Sequence, residues 1–154
     1  MADKEIIKKE LILRVPHAKT SEEILTMTAD CLRQQGYVKD SFKAALLDRE
    51  KNFPTGIRVG NINVAIPHTD AVHVLKTTIA VALLEEPVAF REIGTNDGTV
   101  DVSIVLNMAI QDGNKQVDFL RKISELIQNQ DCLKEILTAD NTEKIAAILN
   151  QKLS

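Results

Sequence analysis

The stretch Asn63–His73, NVAIPHTDAVH, gathers side chains able to do chemistry: His68, Asp70 and His73. It holds two of the chain's three histidines. An apolar, strand-like run ends there in Pro67-His68. Proline fixes φ, so the following imidazole leaves the strand end in a defined direction. In open α/β sheets such ends line the binding crevice. Two readings stand: a nucleophile or base projecting from the strand end, or a histidine that caps a turn, which the local pattern alone favours. His17 sits in a similar setting, RVPHAKT, and a turn before a well-capped helix accounts for it. His73 falls in a polar connection and reads as solvent-facing.

His68, Asp70 and His73 also spell H-x-D-x-x-H, a pattern with the look of zinc or iron ligands. A catalytic zinc site takes three protein ligands in which histidine is prominent. The remaining soft donors, His17 and two cysteines, are remote in sequence, and there is no H-E-x-x-H. Cys31 and Cys132 lie in helical patterns without C-x-x-C spacing and read as buried thiols of a reducing compartment.

Two polar residues interrupt apolar helix faces. In FKAALLDRE, Phe42, Ala45, Leu46 and Arg49 share one face at i, i+3, i+4 and i+7. An inward guanidinium wants an anion: a structural carboxylate, or an oxyanion or phosphate. In the helix after QDGNK, Gln116 aligns with Leu120, Ile123 and Ile127. It would stand in the first turn, where free N–H groups and the helix dipole suit an anion, or where it caps its own helix.

Several classes are excluded. Net charge is −3 and aromatics are 3%, against the basic face and stacking platforms of nucleic-acid binders. No apolar run approaches the ~20 residues of a membrane span, and the N-terminus has no signal-peptide core. Walker A, G-x-G-x-x-G and G-x-S-x-G motifs are missing.

These residues need elements to hold them. The chain has 154 residues and reads as a single domain, 1–154. ELILRV predicts a strand closed by Pro16. KTSEEILTMTADCLRQQGYV predicts a helix opened by a Thr20/Glu23 capping box and ended by Gly36. Asp40 or Ser41 caps a second helix, and GNINVAI is a short strand. TTIAVALL and VDVSIVLNMAI are apolar at nearly every position, as in strands covered on both faces. Helices follow at about Lys115–Gln128, Asp131–Ala139 and Thr142–Gln151, with Asn141 or Thr142 capping the last. The expected fold is an α/β layered sandwich: a mixed, mostly buried β-sheet flanked by helices on both faces.

NVAIPHTDAVHVLKTTIAVALLEEPVAF, with LLDRE before it and the C-terminal helices after it, resembles the enzyme IIA domains of the bacterial sugar phosphotransferase system (PTS). The likeness is to the mannitol/fructose class, within it to galactitol-like members, and it covers nearly the whole chain. It implies that His68 accepts a phosphoryl group from HPr and passes it to a cysteine of a IIB subunit, for sugar uptake through IIC. The family's active-site arginine matches Arg49. Many mannitol- and fructose-type members carry a second histidine at the start of a later helix; here GNKQVDFL offers Gln116, as galactitol-like members also tend to lack that histidine. The resemblance thus implies a cytoplasmic phosphohistidine carrier needing no metal or nucleotide, touching the membrane only through IIC. Its imidazole should lie in a shallow, apolar-rimmed depression, the other ring nitrogen held by Asp70 or a backbone carbonyl. Two other readings use the same residues: a regulatory phospho-switch of the same fold, and a metal-dependent hydrolase built on His68, Asp70 and His73.

Overall fold

The computed structural model describes residues 6–111 and 113–153, without the side chains of 113–116. Strand β1 (Ile12–Val15) follows a 3₁₀ turn at Lys9–Leu11, which takes up the start of the strand expected from ELILRV. Helices α1 (Ser21–Gln34) and α2 (Phe42–Asn52) come next, then two very short strands, β2 (Gly56–Ile57) and β3 (Val64–Ala65). A second 3₁₀ turn (Ala71–His73) leads into the long strands β4 (Thr78–Arg91) and β5 (Thr99–Ala109). Helices α3 (Gly113–Ile127), α4 (Gln130–Thr138) and α5 (Thr142–Leu153) close the chain.

The helix boundaries follow local chemistry. The Thr20 hydroxyl accepts from the Glu23 amide at 3.2 Å, satisfying one of the free N–H groups of the first turn of α1. Gly36, at φ +84°, ends that helix in the left-handed conformation that only glycine adopts without strain. Asn129 and Asn141 cap α4 and α5 through bonds of 3.0 and 2.9 Å from the Cys132 and Lys144 amides.

The sheet is mixed, as expected, in the order β1-β4-β5-β3-β2. β4 pairs parallel with β1 and antiparallel with β5, which in turn runs parallel to β3. β4 extends past Leu84, the expected end, because a register shift between Leu83 and Val88 absorbs Glu85, Glu86 and Pro87. A bulge is where a sheet tolerates proline.

Period-two alternation explains the unbroken apolar runs. Ile79, Val81 and Leu83 of β4 join Ile104, Leu106 and Met108 of β5 in a core shared with Ile123, Leu133 and Leu149 of the C-terminal helices. Ala80, Ala82 and Leu84 join Val105 and Ala109 in a second core with Leu25, Leu32, Phe42 and Leu46 of α1 and α2. Helices therefore cover both faces, and the sheet has no wet side in its centre. Asn107 is a polar exception: fully buried, it donates from Nδ2 to the equally buried Thr28 hydroxyl at 2.8 Å.

Gly56 lets β2 lie against the β4–β5 ribbon. A Cβ there would meet the Arg91 carbonyl oxygen at 2.7 Å and Val100 Cγ1 at 2.8 Å, distances that force the backbones apart. We expect Gly56→Ala to destabilise the protein by about 1–3 kcal/mol, as overpacking does. Thermal denaturation checks it; an unchanged midpoint would contradict the close approach.

Candidate functional site

His68 lies just beyond β3. The Met108 amide donates to the Pro67 carbonyl at 2.9 Å, and His68 bridges to Met108 as a parallel partner. The buried residues Pro67 and Thr69 flank a half-buried imidazole. The ring turns back on its own chain: Nδ1 lies 2.9 Å from the carbonyl oxygen of Ile66. A carbonyl only accepts, so Nδ1 carries the proton and Nε2 keeps a free lone pair. Of the two partners expected for the second ring nitrogen, the backbone carbonyl fills the role and Asp70 does not.

Asp70 turns to Arg49, whose Nη1 lies 3.6 Å from Asp70 Oδ1. The Arg49 guanidinium sits over the Phe53 ring, 5.4 Å from its centroid. Its Nε is buried with no hydrogen-bond partner among the described residues. Phe42 and Leu46 are buried on the expected face of α2, and Arg49 continues that stripe to the surface, 36% exposed. An ion pair with an exposed carboxylate is worth only ~0.2–1 kcal/mol. Arg49 is thus a cation held in place but loosely committed, free to exchange Asp70 for another anion.

The His68 pKa is lowered from 6.5, first by burial and also by the charge of Arg49; the Ile66 carbonyl and Asp70 pull the other way. A lowered pKa means the neutral, nucleophilic ring persists as pH falls through 6.5, where an ordinary imidazole would be half protonated. We expect an NMR titration of the His68 ring to give a midpoint below 6.5. A midpoint at or above that value would show the Ile66 and Asp70 contributions outweighing burial.

The other candidates scatter. His17 is exposed and paired with Glu86 at 3.1 Å. His73 is partly exposed, and the Ser41 hydroxyl holds its Nδ1 at 2.8 Å on the exposed side of the protein. His68, Asp70 and His73 each engage a different partner, and no group of three or more potential ligands among the described residues could hold a metal ion. Cys132 is buried as expected; Cys31 is only partly so, its thiol donating to the Glu10 carbonyl at 3.3 Å. Gln116 falls in the first turn of α3, but its side chain lies outside the described residues. Exposed apolar side chains occur on elements adjoining the site: Phe53 under Arg49 and Val72 in the turn after His68 are each 64% exposed.

Sequence reasoning missed the residues behind this geometry. Glu50, next to Arg49, accepts from the Thr55 amide at 3.0 Å and the Thr55 hydroxyl at 2.9 Å. Burial pushes the Glu50 carboxyl up, opposed by those Thr55 bonds and by the charge of Arg91. Nothing in the spacing singles out Glu50, since residues at i and i+1 do not share a helix face.

Comparison with known proteins gives the chain a family and a fold. Residues 5–152 match the family described as "Phosphoenolpyruvate-dependent sugar phosphotransferase system, EIIA 2". The galactitol-specific EIIA component of the PTS from Escherichia coli (strain K12) is 30% identical over 121 residues, covering 79% of this chain and 80% of that protein. The solution structure of the mannitol-specific cryptic phosphotransferase enzyme IIA CmtB from Escherichia coli superposes with a TM-score of 0.75 at 22% identity, over 96% of this chain and 97% of that one. Enzyme IIAMTL in its complex with phosphorylated enzyme IIBMTL, also from Escherichia coli, gives 0.74 at 22%, over 94% and 99%. At these identities the two structures establish likeness of fold.

Proposed function

The chain belongs to the EIIA 2 family of the phosphoenolpyruvate-dependent sugar phosphotransferase system, and on that premise we propose that His68 is its phosphoryl carrier, accepting from HPr and donating to a IIB cysteine. The observation that carries the reading is the Ile66 carbonyl holding His68 Nδ1, which leaves Nε2 free within the influence of the Arg49 cation.

The chemistry follows from that arrangement. Nε2 attacks the phosphorus of phospho-HPr; the new N–P bond forms as the donor's N–P bond breaks, and the donor imidazole takes back its electron pair. The phosphorylated ring carries positive charge with its proton on Nδ1, and the Ile66 carbonyl accepts that proton's hydrogen bond more strongly as the charge grows. Arg49 exchanges Asp70 for phosphoryl oxygens, and Gln116 at the start of α3 assists. In the second half-reaction a IIB thiolate attacks the same phosphorus, an S–P bond replaces N–P, and the pair returns to Nε2. Such transfers rest on positioning and on cations that spread the charge of the moving group.

The 30% identical relative named for galactitol supports a galactitol-like sugar system. The solved complex named for a IIA and a phosphorylated IIB supports a IIB partner. No helix among the described residues is long and apolar enough to cross a membrane; a cytoplasmic carrier meeting the membrane through IIC fits the role, with residues 1–154 acting as one domain. The test is transfer. Labelled phosphoenolpyruvate with enzyme I and HPr should load one acid-labile phosphate per chain, and a galactitol-type IIB should then take the label on its cysteine. Label that stays on this chain when IIB is added would contradict the carrier role.

A further inference from the structure

We propose that Glu50 is a positioning residue for His68, setting the ring's tautomer through Thr55 and Ile66; this deepens the function proposed above and rests on it. Three consecutive hydrogen-bonded links connect carboxylate to imidazole. Glu50 Oε2 and Oε1 accept from the Thr55 amide and hydroxyl at 3.0 and 2.9 Å. The Thr55 carbonyl accepts from the Ile66 amide at 3.2 Å. The Ile66 carbonyl accepts from His68 Nδ1–H at 2.9 Å.

Each link is placed where it matters. Thr55 is 5% exposed, so without Glu50 its N–H and O–H would be left without water or protein to receive them. Thr55 also precedes β2, whose Gly56 and Ile57 pair with Ala65 and Val64. Setting Thr55 therefore sets the strand that delivers Ile66. On the far side the Pro67 carbonyl is held by the Met108 amide. Fixed before and after, the Ile66 carbonyl is aimed at the ring. That aim has chemical consequence. Free imidazole in water favours the Nε2–H form, which blocks the attacking nitrogen; the carbonyl reverses that preference. Neighbouring residues of α2 thus serve opposite ends of one reaction: Arg49 faces the phosphate, and Glu50 acts behind the ring that attacks it.

The test reads the tautomer directly, by long-range ¹H–¹⁵N NMR of the His68 ring in the unphosphorylated protein, with thermal midpoints recorded alongside. Wild type should show the Nδ1–H form. Glu50→Ala should raise the Nε2–H form several-fold and slow phosphorylation by HPr by about 10-fold, the scale of a small misplacement. Glu50→Gln keeps a carbonyl oxygen for the Thr55 amide and an NH₂ that can donate to the Thr55 hydroxyl, so it should retain the wild-type tautomer. A folded Glu50→Ala with an unchanged tautomer, even at a lower thermal midpoint, would overturn the proposal. So would mixed tautomers in Glu50→Gln. If Glu50→Ala does not fold, Thr55→Val decides: it removes the hydroxyl link alone and should give a smaller rise in the Nε2–H form, and no rise would overturn the proposal. Because the tautomer is read without any phosphoryl donor, a wild-type chain that refuses phosphate would sink the carrier reading without altering the tautomer result, so the two failures are distinguishable.

Discussion

His68→Ala should accept no phosphate from phospho-HPr. The loss should reach background, at least roughly 10³-fold, because a covalent relay without its nucleophile has no lower-rate version of the same path. No other imidazole stands ready to replace it. His17 is tied to Glu86 on the surface, and His73 is turned to Ser41. His17→Ala and His73→Ala should therefore load phosphate at close to the wild-type rate. The His68→Ala protein should remain folded, since the ring's hydrogen bond is a local one to Ile66, two residues back. Label recovered on His68→Ala after acid-sensitive mapping would refute the assignment.

Arg49→Ala carries the second large effect, a fall in phosphoryl transfer of about 10²–10³-fold, the scale of losing one group aimed at developing charge. The charge of Arg49 is one cause of the lowered His68 pKa, so the cation already acts on the ring proposed as nucleophile. Its present counter-ion is weakly held, at 3.6 Å from a carboxylate whose side chain is 76% exposed. Removing it should cost little stability, because a surface pair contributes ~0.2–1 kcal/mol and the rest is packing against Phe53. Arg49→Lys should recover only part of the rate: it restores charge but not the planar fork that grips two oxygens. Transfer kinetics beside thermal denaturation separate the roles. A variant that unfolds rather than slows would make Arg49 a structural ion pair.

Local chemistry writes itself into residue types, and the fold is legible in the sequence to that extent. α1 was legible because Thr20 and Gly36 punctuate it, and both act as expected. The two-faced burial of β4 and β5 was legible from unbroken apolar runs. GNINVAI reads as one short strand, of which β3 keeps only Val64–Ala65; β2, Gly56–Ile57, is too short for any periodicity to mark it. The sequence predicts that β4 stops at Leu84, because Glu-Glu-Pro reads as a breaker; the register shift that accommodates it depends on β5 and cannot be seen locally. At the site, Arg49 stands out as a guanidinium on an apolar helix stripe and His68 as an imidazole behind Pro67 at a strand end, where the local pattern alone favours a turn cap. The carbonyl that fixes the ring does not stand out, because every residue has one and only the fold selects Ile66. Of the two expected caps for α2, Asp40 or Ser41, Ser41 occupies the N-cap position, but its hydroxyl goes to His73, a partner 32 residues away.

The central claim is that Nε2 of His68 is the atom that carries the phosphoryl group. Phosphorylating the ¹⁵N-labelled protein with phosphoenolpyruvate, enzyme I and HPr, and recording ³¹P and long-range ¹H–¹⁵N spectra of the product, tests it directly. The account predicts one phosphoramidate signal coupled to Nε2 of His68, with the proton still on Nδ1. Phosphate on Nδ1, on another residue, or nowhere would contradict it.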